Sequence, residues 1–134
     1  MNPELIRDAA VSALEDIKAR DIEILDVREL TSFFDWVLIA SAESSRQTRA
    51  LASHVHDTAK DLGVQTVRTE GEGSGEWILV DLGSVIVHVM QPAIREFYNL
   101  SELWGGRSLP TRNVSPSFMI PIRQGDLPGS SAHY

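Results

Sequence analysis

Asp81 and His88 are the residues whose types and placement come nearest to acid–base chemistry. They lie in two β-rich apolar runs, residues 77–82 and 85–90, which are separated by Gly83-Ser84. Paired as a hairpin, these runs place the two side chains on one face as diagonal neighbours, about 7–8 Å apart. No nucleophile adjoins them in this register, so a hydrogen-bonded histidine near an interface is favoured over a catalytic pair.

Metal and phosphate chemistry have weaker signals. His54 and His56 point to different faces of a predicted helix, and no second metal ligand stands at metal spacing from His88. The glycine-rich residues 70–75 lack the lysine of a P-loop, and their acids would repel phosphate. Residues 44–49 place hydroxyls and two arginines at a helix N-terminus that could hold an anion, but a capping box with solvated arginines is favoured. We therefore expect no metal, no cofactor and no enzymatic activity.

The Gly83-Ser84 turn predicts a type II′ hairpin, which determines the side chains that share a face. With Leu82 opposite Val85, one face is aliphatic and suits the core; it consists of Ile78, Val80, Leu82, Val85, Val87 and Val89. The other face is mixed and consists of Trp77, Leu79, Asp81, Ile86, His88 and Met90. Tryptophan and methionine beside polar groups are typical of an interface.

The elements that would position this hairpin follow from periodicity and capping signals. Helices are predicted over residues 3–19 and 44–62, and a short helix begins at Pro92 with Trp104 packed in the core behind it. Further strands are predicted over residues 21–30, 36–40 and 64–69, and a loop over residues 70–76. This order predicts an α/β or α+β domain, with a mixed five-stranded sheet and helices packed against it in two layers.

Length, composition and charge restrict the class of protein. The chain has 134 residues, 43% of them hydrophobic, and no cysteine, which predicts one core without disulfides or thiolate metal sites. No apolar run is long enough for a membrane span, and no signal peptide precedes the first helix, so we expect a cytoplasmic protein. Residues 1–106 carry nine basic and eighteen acidic side chains, which disfavours direct nucleic-acid binding and suits a basic protein partner.

Residues 107–134 form a separate tail in the predicted domain organisation, after a domain over residues 1–106. The tail carries four prolines, five serines and two glycines, which predicts non-helical structure. Its apolar side chains argue against simple disorder, and its role stays open.

Three strings of the domain resemble the ribosomal silencing factors of the Iojap family, in the family's order and spacing. They are residues 35–41 with 44–47, residues 70–72 with 76–83, and residues 85–90 with 95–100 and 103–104. The resemblance covers residues 3–105, and the chain departs from the compact family pattern from Gly106 onward.

The resemblance implies a factor that binds ribosomal protein number fourteen of the large subunit. Bound there, it would block association of the two subunits and repress translation when nutrients are short. The resemblance also implies a nucleotidyltransferase-like topology, although Gly83-Ser84 is followed here by residues 85–89, VIVHV, without the two carboxylates that those enzymes use. The partner is expected to be bound by two aromatic anchors, Trp77 and Tyr98. Leu79, Leu82 and Met90 would supply apolar contacts. Glu76, Asp81 and Glu96 would pair with lysine or arginine of the partner.

Three alternatives remain open at this point. The fold analogy allows a nucleotide-binding or nucleotidyltransferase-like enzyme, and organellar relatives of the family act in assembly of the large subunit. An apolar patch on a small sheet also favours self-association, so a homodimer is a further possibility.

Overall fold

The computed structural model describes residues 1–104, which form one mixed α+β domain. In chain order the elements are α1 (Pro3–Asp16), β1 (Arg20–Asp26), β2 (Trp36–Ser41), α2 (Ser45–Leu62), β3 (Arg68–Glu70), β4 (Trp77–Asp81), β5 (Val85–Met90), α3 (Pro92–Tyr98) and α4 (Leu100–Leu103). The predicted tail, residues 107–134, lies outside the described residues.

The five strands form one sheet in the order β1-β2-β5-β4-β3. Strands β2 and β5 are parallel neighbours at its centre, and the other adjacent pairs are antiparallel. The mixed five-stranded sheet is therefore confirmed. The hairpin register is confirmed too, since Trp77 pairs with Met90, Leu79 with His88 and Asp81 with Ile86.

The two long helices begin at the predicted caps. The Asn2 side chain accepts hydrogen bonds from the N–H groups of Glu4 and Leu5, and the Ser44 hydroxyl accepts one from Gln47. Helix α2 ends, as predicted, at Gly63, whose φ of 108° suits glycine. The predicted end of α1 at residue 19 is wrong, because the chain leaves the helix after Asp16 and turns toward β1 through Lys18, which has a φ of 65°.

Two predicted strands are shorter in the structure. Strand β1 ends at Asp26 rather than residue 30, because the Val27 carbonyl accepts from the N–H groups of Leu30 and Thr31 and so closes a turn. The predicted strand over residues 64–69 is wrong for most of its length: only Arg68 and Thr69 of it belong to β3. Val64 and Val67, the two valines of this stretch, pack against the core from a loop.

Both faces of the sheet carry a hydrophobic core, so the predicted two-layer arrangement is wrong. Helices α1 and α2 cover the first face, where the aliphatic side of the hairpin packs. On the second face, Leu100 and the fully buried Trp104 pack with residues of β1, β2 and β5. Trp104 is thus a core residue, as predicted, and its ring meets Phe34 edge to face at 5.4 Å.

Candidate functional site

A row of three aromatic rings lies on the second face, where β4 meets α3. The centroid of the Trp77 indole is 4.8 Å from that of Tyr98, and the Phe97 ring meets Tyr98 edge to face at 5.0 Å. Trp77, Leu79 and Tyr98 are partly buried, whereas Phe97 is 78% exposed. We call these four residues the aromatic patch. The structure thus brings together the two predicted anchors, Trp77 and Tyr98, at one accessible place.

Strand alternation and a short helix produce this arrangement. Trp77 and Leu79 are alternate residues of β4, so both point to the second face. Helix α3 starts with Pro92 at its first position. Its Arg95 donates to the Ser41 hydroxyl at 2.8 Å and to the Glu23 carboxylate at 2.7 Å, which ties the helix to β2 and β1. That attachment brings Tyr98, one turn later, against Trp77.

His88 lies beneath the patch and is bonded to one of its residues. The Trp77 indole N–H donates to His88 Nδ1 at 2.9 Å, and the two ring centroids are 5.8 Å apart. Because the imidazole is 5% exposed, desolvation lowers the pKa of His88 from 6.5 to about 3. The neutral ring therefore acts as a hydrogen-bond acceptor for Trp77 near neutral pH.

Asp81, one of the predicted partner-binding acids, has structural partners within the domain. Its carboxylate accepts from the N–H of Gly83 at 2.8 Å and from the Arg68 guanidinium at 2.9 Å, and its side chain is 14% exposed. The hydrogen bond to Asp81 and its charge raise the pKa of Arg68. Asp81 therefore secures the hairpin turn and the edge strand β3, and its carboxylate does not contact His88, which bonds to Trp77 instead.

Two predicted apolar contacts are wrong because the structure buries their side chains. Leu82 is 2% exposed and packs in the core of the first face, the side opposite the aromatic patch. Met90 lies on the second face but is fully buried, because α3 and α4 cover β5. Of the predicted apolar contacts, Leu79 alone is accessible beside Trp77.

Two acidic residues adjoin the aromatic patch in the sequence. Glu76 directly precedes Trp77, Glu96 directly precedes Phe97, and both are exposed. Both predicted acids are thus exposed and adjoin patch residues in the sequence. An aromatic patch with acidic residues adjoining it in the sequence suits a partner that presents lysine or arginine next to apolar groups.

The hydroxyls and one arginine at the start of α2 hold the glycine-rich loop. Ser45 donates to the Ser74 carbonyl, Thr48 to that of Gly75, and Arg49 to those of Glu72 and Gly73. The anion site considered for residues 44–49 is therefore occupied by backbone carbonyls of the loop. The loop in turn leads directly into β4, which begins at Trp77.

Comparison with known proteins shows the family that the chain matches. The family model described as "Ribosomal silencing factor during starvation" matches residues 2–127, which extends past the domain boundary predicted at residue 106. The chain belongs to this family. A relative named ribosomal silencing factor, from Chromobacterium violaceum, is 46% identical over 120 residues, covering 90% of this chain and 93% of the relative. The corresponding protein of Bacillus subtilis is 38% identical, covering 81% and 92%.

Solved structures and an organellar relative agree with this placement. A crystal structure of a Chromobacterium violaceum protein has a TM-score of 0.77 and 48% identity, covering 81% of this chain and 90% of that one. A mouse protein named for mitochondrial assembly of the ribosomal large subunit is 35% identical, covering 75% of this chain and 46% of its own length. The family resemblance predicted from three strings is thereby confirmed, and the chain shares the fold of the ribosomal silencing factors.

One accessible member of the patch in this silencing-factor domain was missed by sequence reasoning. Phe97 lies within the predicted short helix, yet it is the most exposed large hydrophobic side chain among residues 1–104. Successive helical residues are about 100° apart, so Tyr98 can face the sheet while Phe97 faces outward. The doublet of aromatic residues at 97–98 is the signal that could have identified it.

No three histidine, cysteine, aspartate or glutamate side chains within residues 1–104 come close enough to hold a metal ion. Over the same residues, no helix has both the length and the apolar composition that crossing a bilayer requires.

Proposed function

We propose that this silencing-factor domain binds ribosomal protein number fourteen of the large subunit through the aromatic patch. Bound there, the domain occupies the surface where the small subunit would join and so represses translation under nutrient limitation. The row of contacting Trp77, Tyr98 and Phe97 rings, two of them partly buried and the third exposed, is the observation that carries this proposal. Family membership supports the ribosomal context.

The chemistry of the patch favours a basic protein partner over RNA. Tryptophan and tyrosine supply much of the binding energy in protein interfaces, and here both rings are already held in contact. The acidic Glu76 and Glu96 beside them would pair with lysine or arginine at the rim. Residues 1–106 carry twice as many acids as bases, which opposes close approach to a phosphate backbone.

A steric mechanism requires nothing beyond this contact. A protein bound at the joining surface excludes the other subunit by its volume alone. The two groups nearest to acid–base chemistry have structural partners, since Asp81 binds Gly83 and Arg68, and His88 binds Trp77. Calorimetry with a nucleoside triphosphate and magnesium is expected to show no heat of binding, and a measurable heat would favour the nucleotidyltransferase alternative.

Removing both anchors should abolish binding while preserving the fold. An aromatic hot spot contributes about 2 kcal/mol or more, so Trp77→Ala with Tyr98→Ala, at about 4 kcal/mol together, should weaken binding by nearly a thousandfold. Co-sedimentation with large subunits measures binding, and a sucrose gradient of joined ribosomes measures the shift toward free subunits.

Phe33→Ala provides the matched control. Phe33 is 64% exposed, but it precedes β2 at the opposite end of the sheet from Trp77. This variant should co-sediment like the natural protein. Undiminished co-sedimentation of the double variant, with its circular dichroism spectrum unchanged, would exclude the aromatic patch as the docking site.

A role in large-subunit assembly is a second candidate, favoured by the mouse relative named for that process. The same contact could serve both roles, because a factor bound to the large subunit during assembly also blocks joining. Depleting the protein in growing cells separates them. Accumulation of incomplete large subunits supports assembly, whereas normal large subunits with unrestrained translation during starvation support silencing.

A further inference from the structure

His88 occupies a place in the sheet where an aliphatic side chain would pack well. It lies in β5 between Val87 and Val89, and its neighbours on the same face of the strand, Ile86 and Met90, are buried and apolar. A polar side chain buried at such a position is unfavourable unless its hydrogen bonds are satisfied.

The bond from Trp77 determines the proton distribution on the imidazole. Since Nδ1 accepts the indole N–H at 2.9 Å, the neutral ring carries its own proton on Nε2. Nε2 is buried and has no hydrogen-bond partner among residues 1–104. The imidazole thus leaves one polar group unsatisfied while directing the other at the Trp77 side chain.

This contact restrains the ring that the docking surface depends on. Tyr98 packs against the indole, and His88 Nδ1 holds the N–H edge of the indole toward β5. Together these two contacts limit rotation of the Trp77 side chain. A side chain restrained before binding loses less conformational freedom when the partner arrives, which increases affinity.

We propose that His88 is a positioning residue that fixes the Trp77 indole in its docking orientation. The inference rests on the proposed docking function of Trp77. It assigns His88 a role in affinity for the large subunit although its own side chain is too deeply buried to contact a partner.

The first test observes the indole directly in the full-length protein. The chain has three tryptophans, so a ¹H–¹⁵N spectrum should contain three indole N–H signals, and Trp77→Phe identifies the one from Trp77. His88→Leu removes the acceptor and should shift that signal. His88→Asn places a carbonyl oxygen near the position of Nδ1 and should leave the signal close to its natural place. An unmoved Trp77 signal in His88→Leu overturns the positioning role.

The second test measures affinity for large subunits. Losing the acceptor should weaken binding by about tenfold in His88→Leu, with most of the loss restored in His88→Asn. Trp77→Phe keeps an aromatic ring but removes the donor, so in that background His88→Leu should cause no further loss. Additive losses overturn the proposal, because they mean that His88 acts independently of the indole N–H.

The two tests separate this inference from the function on which it rests. If the natural protein does not bind large subunits, the proposed function fails and the docking role of His88 fails with it. The spectra still decide whether His88 orients the indole. Thermal unfolding of each variant shows whether the fold is retained. If His88→Leu does not fold, the affinities of His88→Asn and Trp77→Phe for large subunits are compared instead. A similar loss of affinity in both variants overturns the proposal.

Discussion

The protonation of His88 differs between the folded and the unfolded chain. Burial lowers its pKa to about 3, whereas the ordinary value is 6.5. Between these values the unfolded chain binds the extra proton, so the free energy of unfolding rises with pH, and stability is lost as the pH falls below 6.5. Lowering the pH from about 7.5 to about 5.5 should therefore cost about 1.4 kcal/mol at this residue alone.

Urea unfolding at both pH values measures this cost. The natural protein should lose more stability on acidification than His88→Leu, by about the amount given above. The other three histidines are present in both proteins, so their contributions cancel in the comparison. Identical pH dependence in the two proteins would show that the buried imidazole does not control acid stability.

Asp81 and Glu96 should respond in opposite ways to substitution. Asp81→Ala removes the acceptor of the Gly83 N–H and of the Arg68 guanidinium, which should lower the free energy of unfolding modestly, because both donors are exposed and can bond to water. Its affinity for large subunits should stay within about twofold. Glu96→Ala should leave stability unchanged and weaken binding, because Glu96 is exposed beside Phe97. Chemical denaturation measures the stability of both variants, and co-sedimentation measures their binding. A binding defect in Asp81→Ala would show that Asp81 belongs to the docking surface.

At the scale of elements, Arg95 holds α3 on the sheet. The Arg95 and Glu23 side chains of this ion pair are 17% and 31% exposed, so the pair is better shielded from solvent than most surface pairs. Arg95→Gln should lower the free energy of unfolding by about 1–3 kcal/mol and weaken large-subunit binding by about tenfold, because Tyr98 depends on the position of α3.

Arg20→Gln is the matched control for Arg95. Arg20 pairs with Glu43, and both side chains are 61% exposed, so this pair should contribute less than about 1 kcal/mol. The control variant should bind large subunits normally. Equal effects of the two substitutions on binding would show that α3 is not positioned by its arginine.

The sequence was most informative where a short turn determines a register. Gly83-Ser84 leaves little freedom in pairing Leu82 with Val85, so the neighbours of Trp77 and Leu79 could be predicted. The burial of Met90 could not be predicted in this way, because it depends on how α3 and α4 cover β5 while leaving part of β4 accessible. Helices of seven and four residues have too few turns for a periodic pattern that would reveal which strands they cover.

The ends of strands were also beyond sequence reasoning. Whether Val67 belongs to a strand depends on the reach of its neighbour β4, which pairs with β3 over three residues only. Val64 and Val67 both pack against one core, which a loop permits, whereas a strand would point residues three apart to opposite faces.

At the scale of the whole molecule, charge should control how fast the partner is found. Residues 1–106 have a formal charge of −9, and complementary charge accelerates association more than it slows dissociation. Raising the salt concentration from about 0.1 M to about 1 M shortens the Debye length from about 10 Å to about 3 Å. The association rate with the isolated ribosomal protein should then fall about tenfold or more, while the dissociation rate changes little.

Surface plasmon resonance measures both rates. Glu76→Gln with Glu96→Gln should reduce the salt dependence of association, since both acids are exposed and adjoin patch residues in the sequence. Light scattering of the same samples shows whether a homodimer gives way to a one-to-one complex. An association rate that does not respond to salt would argue against a charged encounter surface.

The parallel pairing of β2 with β5 has a consequence for the order in which a nascent chain matures. During synthesis β2 emerges early, but its central neighbour β5 is completed only at Met90, and Arg95 and Tyr98 follow it. Chains fold as they leave the exit tunnel, N-terminal parts first. Within residues 1–104, the proposed docking surface is therefore among the last parts to form, so the ribosome making this protein has nearly finished the domain before that surface exists.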